Sequence, residues 1–184
     1  MRSAIGIIEL SSIATGFQAQ DAMLKSAQVD LAIARTICPG KYIIVVGGKV
    51  AGVQSALEAG RSAAEGFIVD ELLISNVDER VFPALTGCVE LPENYHRALG
   101  VIETFSVASV IEAADAAVKA AHVSLFRVHV AMAIGGKGFL LICGDVAAVK
   151  TAVDAGCQRI KAEGALVNRV VITGATRELF QEYI

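Results

Sequence analysis

Ala4–Leu31 reads AIGIIELSSIATGFQAQDAMLKSAQVDL, and Ala98–Leu125 reads ALGVIETFSVASVIEAADAAVKAAHVSL. Laid over each other without a gap, the two stretches are identical at about thirteen of twenty-eight positions, far above chance, which marks an internal duplication. The match resumes two residues out of step. KYIIVVGGKVAGVQSALEAG from Lys41 lies over KGFLLICGDVAAVKTAVDAG from Lys137, and FIVDELLISN then lies over ALVNRVVITG. Two similar modules, residues 4–80 and 98–184, therefore stand in tandem. The segment between them, VFPALTGCVELPENYHR (residues 81–97), holds two prolines, one glycine and no period, so it reads as a linker.

Each module gives the same order of elements. In the first, an apolar strand over Ala4–Leu10 leads through Ser11 and Ser12, good helix N-caps, into an amphipathic helix. Its apolar Ile13, Phe17, Ala22 and Leu24 fall broadly on one side, the expected buried face. Strands follow over Val29–Arg35 and Tyr42–Val46, then a Gly47-Gly48 turn, a helix over Val50–Ala64 and a last strand over Ile68–Ser75. The order βαββαβ predicts an α+β chain of two tandem ferredoxin-like modules, each a four-stranded antiparallel sheet with both helices on one face. That topology hosts enzymes, regulators and structural proteins alike, so it assigns no function.

Composition narrows the classes. Of the 184 residues 54% are hydrophobic, ample for a core. A formal charge of −3 without basic runs argues against nucleic acid or anionic membrane as partners. Mean hydropathy is +0.58, yet every apolar run is cut by charge or glycine well short of the roughly 18 residues a spanning helix needs. The start MRSAIGIIELSS, with one arginine and Glu9 inside its apolar stretch, is a poor signal peptide, and a cytosolic chain is expected. Cys38, Cys88, Cys143 and Cys157 show no paired spacing, so a disulfide framework is not expected. Cys143, inside FLLIC, and Cys157, on the second helix of its module, read as small buried hydrophobes, and Cys88 as an incidental linker thiol. Cys38 differs. It stands in Thr36–Lys41, TICPGK, the turn between two strands, where Pro39 fixes its own φ and Gly40 can take φ > 0.

The runs AIGIIELSSIATGFQAQDAMLKSA, ICPGK and GGKVAGVQSALEAG, together with their second copies, resemble the shell domain of bacterial microcompartments (BMC). The resemblance covers nearly the whole chain. Two fused copies resemble the tandem-domain shell proteins, and this implies a homotrimer that mimics a six-fold tile and packs beside other shell proteins in a two-dimensional lattice. DAMLKSA, ICPGK and RVHVAMAIGGK are most similar to the subgroup of propanediol-utilisation compartments, for which an iron–sulfur cluster in the central pore is implied. The expected location is the microcompartment shell. ITGATRELF lacks the Pro-His pair often found after the last strand in this family, so the tile edge departs from the usual pattern.

On that footing the residues take roles. One cysteine per chain is too few for a cluster, which needs about four ligands and prefers thiolates. Three copies around an axis change the count: three Cys38 sulfurs would supply three ligands to one [4Fe–4S] cluster per trimer, leaving one iron open. Thr36, Ile37, Pro39 and Gly40 would line the pore with it. In the second module the same turn is Ile134, Gly135 and Gly136, with no sulfur, so three thiols and not six would face the axis. Lys25 and Lys119 match the family's edge lysine through which tiles meet. Each stands four residues after an aspartate, Asp21 or Asp115, a helix pair worth about 0.3–0.5 kcal/mol.

No enzyme activity is expected; encapsulated redox enzymes are candidate partners. Two alternatives stay open at this point: a plain metabolite pore without a cluster, and a ligand-sensing regulator built from ferredoxin-like modules. Gly47-Gly48 lacks the phosphate-loop pattern and reads as a tight turn. His96, His122 and His129 have neither zinc nor catalytic spacing, and His129 before the second pore turn is kept only as a remote fourth ligand.

Overall fold

Ala4–Leu10 forms β1, and every one of its residues is buried. It lies between β3 (Lys41–Gly48) and β4 (Ile68–Ser75), antiparallel to both, with Ile8 opposite Ile44 on one side and Glu71 on the other. The sheet order is β2-β3-β1-β4, with β2 spanning Asp30–Ile37. In this computed structural model residues 3–93, 95–130 and 134–180 are described. Alternation along β1 and β3 divides the core. Ile8, Leu10, Tyr42, Ile44 and Val46 meet Ala19 and Met23 of α1 (Ile13–Ser26) and Val53, Ala56 and Leu57 of α2 (Val50–Ala63). Ile5, Ile7, Ile43 and Val45, one step out of phase, are buried on the face without helices.

The second module repeats the plan. β5 (Ala98–Thr104), α4 (Val107–Ala120), β6 (Ser124–Val130), β7 (Gly138–Cys143), α5 (Val146–Ile160) and β8 (Leu166–Thr173) form a sheet ordered β6-β7-β5-β8. The expected helix caps are present: Ser12 Oγ accepts from the Thr15 amide at 3.3 Å, and Ser106 Oγ accepts from the Ser109 amide at 3.2 Å.

The expected buried face of the first helix is corrected. α1 turns Gly16, Ala19 and Met23 inward, whereas Ile13, Phe17 and Leu24 are exposed. The cause is steric. A Cβ at Gly16 would sit 2.5 Å from the Tyr42 ring, so the helix lies against β3 at a distance only glycine allows. The second module reverses the exchange: Val110 takes the Gly16 position, and the strand partner is Gly138, whose missing Cβ would sit 2.6 Å from Val110 Cγ1.

Residues 81–97 are more than a tether. Val81–Thr86 is a short helix, α3, with Val81, Phe82, Ala84 and Leu85 buried, and it packs on β6. Just before it, Arg80 donates to the carbonyls of Val118 (2.6 Å) and Val123 (3.5 Å) at the end of α4. Farther along, Val89, Leu91 and Tyr95 pack with Phe126, Leu141 and Phe180 on the helix-free face of the second sheet. The chain divides into compact units at residues 79 and 80, and this segment belongs to the second.

Candidate functional site

The first turn is tighter than the sequence suggests. β2 runs on to Ile37 and β3 begins at Lys41, paired directly with it, so only Cys38, Pro39 and Gly40 make the connection. Gly40 has φ +67°, the left-handed region, and the Cys38-Pro39 peptide is cis. Thr36, Pro39 and Gly40 are exposed and Cys38 is half-buried. Ile37 is only 4% exposed, so its side chain anchors the turn to the sheet instead of lining an outer surface.

The equivalent turn of the second module carries Ile134 (half-buried), Gly135 (φ +67°) and Gly136 (φ +86°), closed by the Lys137 amide donating to the Ile134 carbonyl at 3.4 Å. Residues 131–133, which precede it in the sequence, lie outside the described residues. His129 on β6 stacks on Phe139, ring centroids 4.8 Å apart and 13° from parallel, which makes it a packed strand histidine.

Under both turns lies a feature the sequence reading missed. Lys41 Nζ meets Glu9 Oε1 at 2.7 Å, and Lys137 Nζ meets Glu103 Oε1 at 2.9 Å. Each pair ties the strand that leaves the turn to the end of the central strand. Glu9 is almost fully buried, its side chain 6% exposed, while Glu103 is 36% exposed. The partners stand far apart in sequence, so no helix-spacing rule finds them, but both members are identical in the aligned repeats, and that was the available signal.

Lys25 and Lys119 are exposed near the ends of α1 and α4, each 2.6 Å from its aspartate, Asp21 and Asp115. The other thiols differ in kind. Burial pushes Cys143 up to about 12, which keeps it a neutral core thiol, and burial likewise raises Cys157 against the opposing pull of Arg169. Cys88 is exposed. Among the described residues no three histidine, cysteine or carboxylate groups come together as a metal-binding set. Cys38 is therefore a single soft donor per chain, which fits a cluster only where copies of the chain bring their turns together.

A family model for the BMC domain matches residues 4–77 and again 98–175. The bacterial microcompartment shell protein PduT of Citrobacter freundii is 44% identical over 184 residues, covering 100% of this chain and 99% of that protein. The carboxysome assembly protein CcmO of Synechocystis is 33% identical over 96% of this chain and 63% of its own length. The crystal structure of a microcompartment protein from Desulfitobacterium hafniense DCB superposes with a TM-score of 0.92 at 45% identity, covering 96% of this chain and 97% of that one. With two domains in tandem, matched in sequence along its length and in fold, the chain belongs to the BMC-domain family of bacterial microcompartment shell proteins.

Proposed function

We propose that three copies of this chain form a pseudohexameric tile of a microcompartment shell, with the Cys38 turns meeting at the central axis. The observation that carries this reading is the contrast between the two turns: an accessible thiol on Cys38-Pro39-Gly40, and none on Ile134-Gly135-Gly136. Six modules around one axis then present three sulfurs in alternation. Three thiolates suit an iron–sulfur unit better than any hard metal, and a fourth coordination position stays free for water or a partner's side chain. A [4Fe–4S] cluster held there would supply one-electron transfer across the shell, with redox enzymes inside as partners. Thr36, Pro39 and Gly40, with Gly135 of the alternate turns, would form the pore rim. Glu9 and Lys41 hold the base of the cysteine turn rigid, so the thiol keeps one position. Lys25 and Lys119 serve the outer edge, where tiles meet in the lattice. The ligand-sensing alternative does not fit a shell-protein family.

The test is iron content and the paramagnetic resonance spectrum of anaerobically purified protein. A shared cluster gives about four irons per three chains. Iron at about four per chain, or none in a brown-free trimer, would return Cys38 to the role of a rim residue in a plain metabolite pore.

A further inference from the structure

The two modules line the gap between their second helix and last strand with opposite charge. In the first, Arg61 of α2 reaches across to Glu71 of β4 and binds both carboxylate oxygens, its Nε donating to Oε2 at 2.9 Å. In the second, Cys157 stands at the Arg61 position, Arg169 at that of Glu71, Asp154 at that of Glu58 and Lys150 at that of Gln54. The register fixes the equivalence, since Glu71 lies opposite Ile8 and Arg169 opposite Ile102 on the central strands. The cation has moved from helix to strand, where Arg169 Nη1 pairs back to Asp154. Two carboxylates against one cation have become, with Lys161, three cations against one carboxylate.

A cysteine leaves room that an arginine would take up. A cavity of about 390 Å³ opens between α5 and β8, lined by Asp154, Cys157, Gln158, Lys161, Leu166 and Arg169. Small-molecule sites run to roughly 300–1,000 Å³, so the volume is sufficient for one. A second cavity of about 240 Å³ lies on the other side of the Arg169–Asp154 pair, with Lys150, Val153 and Val170 in its wall. Among the described residues neither Lys150 nor Lys161 has a carboxylate partner, and both are exposed. Three cations set along roughly 16 Å of one helix and its strand repel one another, a cost that a bound anion removes. We infer that this groove binds a pyrophosphate-bearing small molecule, its phosphates between Arg169 and Lys161 and the rest of it over Cys157 and Leu166. A pyrophosphate concentrates several charges in a short length, which a single carboxylate does not, and Arg169 keeps guanidinium donors beyond the one that Asp154 takes. The neutral thiol and the leucine give the remainder of the ligand an uncharged floor. The inference is independent of the tile reading and of the Cys38 cluster.

The test is isothermal titration of the full-length chain in magnesium-free buffer of low ionic strength, with ADP and, separately, inorganic tripolyphosphate. Circular dichroism melts establish that each variant is folded. One site per chain is expected, weakened by added salt. Lys150→Glu with Lys161→Glu should lower the affinity by about tenfold or more, the loss of a charge-assisted contact, and Arg169→Gln should do the same. The control is Lys49→Glu with Arg61→Glu, which changes net charge equally at exposed positions of the first module and should hold affinity within about twofold. ADP binding more tightly than tripolyphosphate supports the site and identifies a nucleotide-like ligand; tripolyphosphate binding at least as tightly supports it and identifies a free polyphosphate. No binding of either at millimolar concentration would overturn the inference. So would a control pair that loses as much affinity as Lys150→Glu with Lys161→Glu, since the chain would then be reading bulk charge alone.

Discussion

The two modules share a backbone and differ at the positions where that backbone meets something else. Register is the same to the residue along much of the central strands: Ile7 and Val45 pair in the first as Val101 and Leu141 pair in the second. At the turn between the second and third strands, the first module has a cysteine on a proline-glycine corner and the second has isoleucine and two glycines. Beneath the first helix, glycine faces tyrosine in one and valine faces glycine in the other. The lesson is that duplication repeats the hydrogen-bonded frame, which depends on pattern, and leaves side-chain volume and chemistry free to diverge between copies.

The sharpest way to break the comparison of the turns is Cys38→Ser. Symmetry copies the change around the axis, so all three ligands go at once and iron should fall to zero, while Cys88→Ala, Cys143→Ala and Cys157→Ala keep it; residual iron in Cys38→Ser by metal analysis would contradict the shared site. Next in size is the helix–strand exchange. Gly16→Val should destabilise by about 3 kcal/mol in denaturant melts, because the new side chain meets the Tyr42 ring. Adding Tyr42→Gly should recover part of that loss, giving a coupling of about 1–3 kcal/mol, whereas additive losses would show that the two positions do not share a volume. The ion pairs under the turns should differ with burial. Glu9→Gln should cost about 1–3 kcal/mol and Glu103→Gln under about 1 kcal/mol, since the second pair is well hydrated. Equal losses would mean that exposure does not govern these pairs. The smallest effect on the single tile belongs to Lys25→Glu, whose pair with Asp21 is well exposed. Melting should change by under about 0.5 kcal/mol and trimer mass not at all, yet sheets should weaken or vanish in electron micrographs.

Much of this was legible in the sequence because repetition and period are local signals. The duplication, the βαββαβ order, the serine caps and the odd cysteine at a turn can all be read from short windows. The inward face of α1 could not. Ile13, Phe17 and Leu24 are three of the four large apolar residues of the helix, with only Met23 turned inward, and periodicity assigns such residues to the core of the chain that carries them. What decides the matter is Tyr42, twenty-six positions beyond Gly16, which leaves room for glycine and nothing more. Likewise the residue 81–97 segment carries no period long enough to reveal α3, since six residues are fewer than two turns. The Glu9–Lys41 pair was hidden for another reason: a long-range contact leaves its trace in the alignment of the repeats and none in the spacing along one copy.

The reciprocal exchange at Gly16, Tyr42, Val110 and Gly138 also bears on how such a chain folds. A polypeptide with two similar modules risks trading elements between them, within one chain or between neighbours on the ribosome, and domain swapping is a characteristic failure of repeat proteins. Here each hybrid is penalised differently. α4 laid on the first sheet would drive Val110 into the Tyr42 ring, and α1 laid on the second sheet would set Gly16 against Gly138 and leave a hole between them. The mismatch acts as a proofreading key: of the four possible pairings of helix and sheet, only the two native ones fill their space.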